Sequence, residues 1–231
     1  MSAHSHDRPL RIGLFGGTFN PIHCGHVQVA KDVLQRYQLA SVHFIPCALP
    51  PHKTKGVLAT AADRFEMARR ALVDEPAFCL SDIEIQRSGP SFTIDTLRHF
   101  KALQSGGAQL FFIVGLDAFL EIDTWKSFRQ LFDLAAFIVM ARPQGPMLHP
   151  GMKALAAQFA KERISDDYCL SMSAHGDALS HPQKQFIYLA PVTPVDISSS
   201  HIRELIREGH SIRKWVAPSV AAYIEEKGLY R

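Results

Sequence analysis

Two glycines and two histidines form the cluster in this chain with the clearest chemical potential. Gly16 and Gly17 are adjacent, and His23 and His26 follow three positions apart, with Gly25 between them. Adjacent glycines let the backbone approach a ligand closely, and imidazoles can donate hydrogen bonds to phosphoryl oxygens as negative charge builds on them. The spacing matches neither of the common glycine-rich phosphate loops. The cluster therefore predicts a phosphate-binding junction, with a plain tight turn and surface histidines as the alternative.

This junction connects a predicted strand to a predicted helix. Residues 10–15 form a short apolar run, and apolar residues recur at helical spacing from Val27 onward. The N-terminus of a helix offers free N–H groups and a positive dipole end, both of which suit phosphate. The elements on either side therefore favour the phosphate-binding interpretation.

Further apolar runs predict strands that alternate with helices along the chain. These runs cover residues 42–46, 78–85, 109–114, 135–140 and 185–190. Crossovers long enough for a helix predict a doubly wound, mainly parallel α/β sheet. In such sheets ligands bind beyond the carboxyl ends of the strands. Polar motifs follow the first, second and fourth predicted strands, which are residues 10–15, 42–46 and 109–114. We therefore expect the functional site at that edge.

We expect one domain over residues 1–231, with the sheet core at about 10–195 and a helical C-terminal part at about 196–231. Between the fifth and sixth predicted strands the pattern is weaker. Apolar residues from Met152 to Phe159 predict one amphipathic helix. Residues 171–181 are rich in serine and histidine and predict a loop.

Composition excludes several functional classes. The chain has 231 residues, of which 47% are hydrophobic, and a net charge of +3 with histidine neutral. This weak charge predicts no nucleic-acid partner. No apolar run approaches the ~20 residues of a membrane span, and the polar start lacks the apolar segment of a signal peptide. Four scattered cysteines without a C-x-x-C pair predict reduced thiols. We expect a cytoplasmic protein with no membrane partner.

The stretch from Gly16 to His26 resembles G-G-x-F-x-P-x-H-x-G-H, the signature of nucleotidyltransferases with an H-x-G-H motif, and most closely that of bacterial nicotinate-nucleotide adenylyltransferases. The resemblance implies a Rossmann-like fold and transfer of AMP from ATP to nicotinate mononucleotide. The products are nicotinate adenine dinucleotide and pyrophosphate, in NAD biosynthesis. It also implies that ATP is bound by Gly16, Gly17, Thr18 and Phe19, with His23 and His26 at the α-phosphate.

Three other stretches resemble ATP-binding elements of that family. Residues 197–203 resemble I-S-S-T-x-I-R, with Ser200 in place of threonine. This resemblance implies that the phosphates are held by Ser198, Ser199, Ser200 and Ile202, and that Arg203 meets the departing pyrophosphate. For the serines, simple helix capping is the alternative. Gly115 and Asp117 resemble a G-x-D motif whose aspartate binds the adenosine ribose, and Arg142 matches an arginine beside the triphosphate.

Motifs for the nicotinate nucleotide are also present. Residues 50–53 resemble P-P-H-[KR], which implies that His52 borders the nucleotide and that Lys53 meets phosphate. Phe92 and Thr93 resemble the end of G-x-S-[YW]-T, with phenylalanine replacing the usual polar aromatic residue. Trp125 occupies the place of the family tryptophan that stacks on the pyridine ring, although a partly buried core tryptophan is the alternative. Residues 228–230 resemble a C-terminal family signature, for which we expect a structural role.

The implied mechanism is direct in-line attack without a covalent enzyme intermediate, and it depends on positioning and charge stabilisation. The residues expected to carry it are His23, His26, Lys53 and Arg203. We expect Mg²⁺ bound mainly through ATP, and no metal site in the protein itself. A non-catalytic nucleotide sensor and an adenylyltransferase with another acceptor are the alternatives. A zinc protein is disfavoured because two histidines supply only half a site. A homo-oligomer is left open.

Overall fold

A computed structural model of the chain describes residues 9–50, 58–104, 107–141, 150–193 and 195–231. The strands are β1 (Arg11–Gly17), β2 (Ser41–Pro46), β3 (Phe78–Leu80), β4 (Gln109–Gly115), β5 (Ala136–Ala141), β6 (Cys169–Ser173), β7 (Gly176–Ser180) and β8 (Ile187–Pro191). They form a single sheet in the order β3-β2-β1-β4-β5-β8-β7-β6. The six strands from β3 to β8 in this order are parallel, and β7 and β6 complete the sheet in antiparallel pairing. This is the predicted mainly parallel α/β fold.

Helices cover both faces of the sheet. Within the described residues they are α1 (Cys24–Arg36), α2 (Ala61–Ala71), α3 (Ile83–Gln86), α4 (Thr93–Leu103), α5 (Leu116–Phe119), α6 (Phe128–Leu134), α7 (Pro150–Phe159), α8 (Ser199–Arg207) and α9 (Pro218–Glu226). The apolar faces of α1, α2, α8 and α9 form one core against the sheet. The other core packs α4, α5, α6 and α7 against the opposite face. None of these helices has the length and apolar character needed to cross a bilayer.

Successive residues of a strand point to opposite faces, and β1 supplies both cores in this way. Phe15 packs into the first core, whereas Ile12 and Leu14 pack into the second. A strand buried on both faces is apolar along its whole length, which is why the sequence identified β1 as a parallel strand.

Two predicted elements were wrong. The expected strand over residues 78–85 ends at Leu80, and α3 follows, because β3 pairs only with β2 and the Asp82 carbonyl then accepts the N–H groups of Ile85 and Gln86. The expected loop over residues 171–181 is largely the β6–β7 hairpin. Gly176 has a φ of +108° at its turn, a conformation that favours glycine. The predicted helix over residues 152–159 is confirmed as α7.

Candidate active site

Two adjoining cavities open at the carboxyl ends of the central strands. The first has a volume of about 680 Å³ and the second about 300 Å³. Phe15, Gly17 and Thr18 line both, so the cavities meet where β1 ends. The neighbours of β1 in the sheet are β2 and β4, from which the strand order runs in opposite directions. This is the topological switch point at which α/β sheets bind ligands.

The first cavity lies between the N-terminal ends of α1 and α8. His23 and His26 line it from the α1 side, and Arg203 lines it from α8. The serines of the same motif, Ser198, Ser199 and Ser200, complete the α8 side. Both helix N-termini contribute positive potential. Two motifs that are far apart in the sequence therefore converge on one cavity that is suited to an anion.

The two histidines are held by each other and by the loop before them. The backbone N–H of His23 donates to Nδ1 of His26 at 3.2 Å, so the proton of the neutral His26 ring is on Nε2. The ring centroids of the two histidines are 3.7 Å apart, and the Phe19 ring meets His26 edge-on at 5.1 Å. His26 is therefore oriented to donate from Nε2.

Gly25 is required by the position of His23. A Cβ at residue 25 would lie 3.0 Å from Nδ1 of His23 and 3.5 Å from Ile197 Cγ2. The first of these distances is tighter than an ordinary contact, so a side chain at this position would require the imidazole to shift by a few tenths of an ångström. The glycine between the histidines thus allows His23 to lie across the first turn of α1.

The loop between β1 and α1 is shaped by side chains from distant parts of the chain. Nη1 of Arg64 donates to the Thr18 carbonyl at 2.9 Å, and Nη1 of Arg203 donates to the Asn20 carbonyl at 2.8 Å. The Ser199 hydroxyl donates to the Pro21 carbonyl at 2.9 Å. We call residues 18–21 the phosphate loop. Its conformation depends on α2 and α8 as well as on its own sequence.

Arg64 was not identified from the sequence. Its side chain is fully buried and donates from Nε to the Ala59 carbonyl and from Nη2 to the Ala48 carbonyl, besides its bond to Thr18. Burial lowers the pKa of Arg64 from its ordinary value, yet a guanidinium remains charged in proteins. The sequence held one indication that Arg64 is buried: it lies on the same face of α2 as the apolar residues Met67 and Ala68.

The serines of α8 both cap the helix and shape the site. Ser198 is the N-cap, and its hydroxyl oxygen accepts the His201 N–H at 3.1 Å. The Ser200 hydroxyl oxygen accepts Nη2 of Arg203 at 3.2 Å. The side chain of Ile202 is buried in the first core and does not line either cavity. Ser198 thus caps α8 and also lines the first cavity, while Ser199 and Ser200 fix the phosphate loop and Arg203.

The second cavity brings together the aromatic residues predicted to meet the nicotinate nucleotide. Phe92, Thr93 and Trp125 line it, and Trp125 packs edge-on against Phe112. Lys126 lies over the Phe92 ring, with Nζ 4.6 Å from the ring centroid. Because the lining includes the first turn of α4, the dipole of this helix favours a negative group there.

Two buried polar residues in this cavity were missed. Ser91 joins the loop after β2 to the start of α4, since its hydroxyl oxygen accepts the Ala48 N–H at 3.0 Å. Glu84 accepts the Thr96 hydroxyl at 2.7 Å. Ser91 lies inside a motif recognised in the sequence, whereas Glu84 falls where a strand was expected and its role was hidden.

The remaining predicted residues fall in other places. Gly16 and Gly115 line the second cavity, although both were assigned to ATP, while Asp117 is exposed on α5 and lines neither cavity. His52, Lys53 and Arg142 lie outside the described residues. The described part of the chain has no group of histidine, cysteine or acidic residues that could hold a metal ion, and the four cysteines form no disulfide.

Comparison with known proteins agrees with this arrangement. Residues 14–205 match the family model described as cytidylyltransferase-like. A probable nicotinate-nucleotide adenylyltransferase of Desulfatibacillum aliphaticivorans is 42% identical over 225 residues, which cover 96% of this chain and 100% of that protein. One from Geotalea daltonii is 40% identical, with coverage of 96% and 98%. The fold is also similar to that of Plasmodium falciparum nicotinic acid mononucleotide adenylyltransferase complexed with NaAD. The TM-score is 0.69 at 20% sequence identity, and the match covers 96% of this chain and 97% of that one.

Proposed function

This chain belongs to the nicotinate-nucleotide adenylyltransferases, and we propose that it transfers AMP from ATP to nicotinate mononucleotide, releasing pyrophosphate. The observation that carries the proposal is the convergence of His26 and Arg203 on one cavity. A site that placed these motifs apart would have no way to bind one triphosphate. The product, nicotinate adenine dinucleotide, assigns the enzyme to NAD biosynthesis.

ATP occupies the first cavity in this proposal. The triphosphate lies between the N-termini of α1 and α8, where the phosphate loop, the histidines and Arg203 meet. Nε2 of His26 donates to an oxygen of the α-phosphate, and Arg203 neutralises the pyrophosphate as it leaves. Asp117, which follows β4, is proposed to bind the ribose, and any contact of Ile202 with ATP is made by its backbone.

Nicotinate mononucleotide occupies the second cavity. Its pyridine ring stacks near Trp125 and Phe92, and its carboxylate faces the N-terminal turn of α4 at Thr93. Its phosphate points toward Gly17 and Thr18, which line both cavities. That junction lets a phosphate oxygen of one nucleotide attack the α-phosphorus of the other in line. His52 and Lys53 are proposed to border this nucleotide, and Arg142 to flank the triphosphate.

The chain's own residues bind and orient the reactants and form no covalent bond with them. A Mg²⁺ carried by ATP oxygens and water is part of this proposal, since Mg²⁺ is usually bound through substrate phosphates and water. When bound, this ion neutralises charge on the triphosphate. We place the reaction in the cytoplasm, with no nucleic-acid partner, and leave a homo-oligomer open.

The test is release of pyrophosphate from ATP in the presence of nicotinate mononucleotide. We expect His26→Ala and Arg203→Ala each to lower kcat about 100-fold, since each removes a charge-stabilising donor. Arg207→Ala, an exposed arginine one turn further along α8, is the matched control and should retain wild-type activity. Wild-type turnover no faster than that of His26→Ala would overturn the proposal.

A panel of acceptors separates this function from its alternatives. A nucleotide sensor would bind ATP in calorimetry and give no product after long incubation with any acceptor. An enzyme for another acceptor, such as phosphopantetheine, would show a higher kcat/KM with that compound. The aromatic second cavity and the positive end of α4 favour the nicotinate nucleotide over its amide, so we expect the lower kcat/KM with nicotinamide mononucleotide.

A further inference from the structure

Tyr230 reaches the phosphate loop from 210 positions further along the chain. Its side chain is buried, and its hydroxyl donates to Oδ1 of Asn20 at 2.8 Å. The backbone of Tyr230 has a φ of +67°, a left-handed conformation that bulky residues rarely adopt. Such a conformation persists where surrounding contacts hold it in place. Here the buried ring and its hydrogen bond to Asn20 are those contacts.

Asn20 connects this tyrosine to the residues that meet phosphate. Its Oδ1 also accepts the Ala59 N–H at 3.1 Å, and its backbone carbonyl accepts Nη1 of Arg203 at 2.8 Å. Asn20 lines the first cavity beside His23. Asn20 therefore links the Tyr230 hydroxyl to the guanidinium of Arg203, which lines the first cavity.

We propose that Tyr230 is a positioning residue for the phosphate loop, acting through the Asn20 side chain to fix the carbonyl that orients Arg203. This inference rests on the proposed function, because it assigns the loop and Arg203 to ATP. Tyr230 does not line either cavity and is not itself catalytic. We expected residues 228–230 to have a structural role, and this proposal adds that Tyr230 positions the residues that act on ATP.

The test compares two tyrosine-to-phenylalanine substitutions in the same part of the chain. Tyr230→Phe removes the hydroxyl that donates to Asn20, and Tyr223→Phe removes one that donates to Asp63 of α2 at 2.9 Å. We expect Tyr230→Phe to lower kcat about tenfold, since misplacing the loop costs rate, with little change in KM for either nucleotide. Tyr223→Phe should keep the wild-type kcat. Equal kcat values, corrected for the folded fraction, would overturn the proposal.

A double-mutant cycle shows whether Asn20 is the link. If Tyr230 acts through Asn20, the double variant Asn20→Ala, Tyr230→Phe should be no slower than Asn20→Ala alone. Fully multiplicative losses in kcat would contradict the proposed route. The single and double variants can be compared in the same pyrophosphate assay.

Hydrogen exchange provides a readout that does not depend on activity. In Tyr230→Phe we expect faster exchange in a peptide spanning residues 18–23, and unchanged exchange in the centre of α1. Tyr223→Phe should show neither effect. If the wild type does not turn over nicotinate mononucleotide, the proposed function fails, and exchange still decides whether Tyr230 holds the loop. Unchanged exchange at residues 18–23 would refute the positioning role.

Discussion

Replacing Arg64 with lysine tests whether one buried guanidinium holds the loops around both cavities. Arg64 donates to the carbonyls of Thr18 at 2.9 Å, Ala48 at 3.0 Å and Ala59 at 3.1 Å. These carbonyls belong to the phosphate loop, the loop after β2 and the residue before the N-cap of α2. The ammonium of lysine is a compact point charge without the fixed fork of arginine. We expect it to keep one of the three bonds and leave two of these carbonyls without their donor.

The magnitude follows from those two lost bonds. A hydrogen bond to a charged group contributes about 1.5–3 kcal/mol, so the loss of two such bonds in Arg64→Lys should lower the free energy of unfolding by about 3–6 kcal/mol. That is a large part of a total stability of about 5–15 kcal/mol. For a chain of this length each kcal/mol shifts Tm by about 2–4 °C, so we expect Tm to fall by roughly 10 °C.

Urea unfolding followed by circular dichroism measures this loss. Arg69→Lys is the matched control, because Arg69 is exposed on the same helix and pairs with Glu66, and its unfolding midpoint should stay at the wild-type value. KM should rise for both nucleotides in Arg64→Lys, since Thr18 lines both cavities. If Arg64→Lys unfolds within about 1 kcal/mol of the wild type and keeps both KM values, the loops hold their shape without the guanidinium, and this reasoning is wrong.

Two further predictions concern carboxylates. The Asp32 side chain accepts the N–H of Thr193, which lines the first cavity, at 2.7 Å. Asp32→Ala should raise KM for ATP about fivefold and leave KM for nicotinate mononucleotide unchanged. The control Gln28→Ala removes the hydrogen bond from Gln28 to Asp32 but keeps the one from Thr193. Equal changes in both KM values of Asp32→Ala would contradict the prediction. The pKa of Glu66 is lowered from 4.5 to about 2, chiefly by the hydrogen bond from Arg69. Burial opposes this shift, and the hydrogen bond from Arg70 adds to it. A lowered pKa stabilises the fold above pH 4.5, and this stabilisation is lost as the pH falls toward 2. The free energies of unfolding of the wild type and Glu66→Gln, measured in urea, should therefore differ at pH 7 by under about 1 kcal/mol for this partly exposed pair, and converge near pH 2. A difference that widens on acidification would show the opposite sign.

The sequence predicted the parallel strands well because burial on both faces leaves them continuously apolar. It failed at β3, where three residues at the sheet edge carry the pairing and the alternating apolar and polar residues of α3 follow. It also failed at the β6–β7 hairpin, where half-buried serines surround the buried Ala178 and Leu179 and hide the strand pattern. Patterns of burial reveal central strands more readily than edge strands, because an edge strand has less of its surface covered.

The motifs of the candidate site are visible in the sequence, whereas the distant residues that hold the phosphate loop are not. His26 and Arg203 belong to recognisable stretches, and the structure brings them to one cavity. Arg64 and Tyr230 act on the same loop from far along the chain, and a single sequence contains no spacing that relates them to it. A charged residue on a helix is normally solvated, and the one local signal for Arg64 is that it shares a helix face with the buried Met67 and Ala68.

The dependence of the phosphate loop on distant side chains has a consequence for folding while the chain is being translated. Its contacts span 46 positions to Arg64, 178 to Ser199, 183 to Arg203 and 210 to Tyr230. A nascent chain that has completed β1 and α1 already carries both histidines, but the groups that shape the loop have not yet been made. Contacts between such distant positions close late because of their entropic cost. We therefore expect catalytic competence to be acquired after translation has passed α9, well after the central strands can begin to pair.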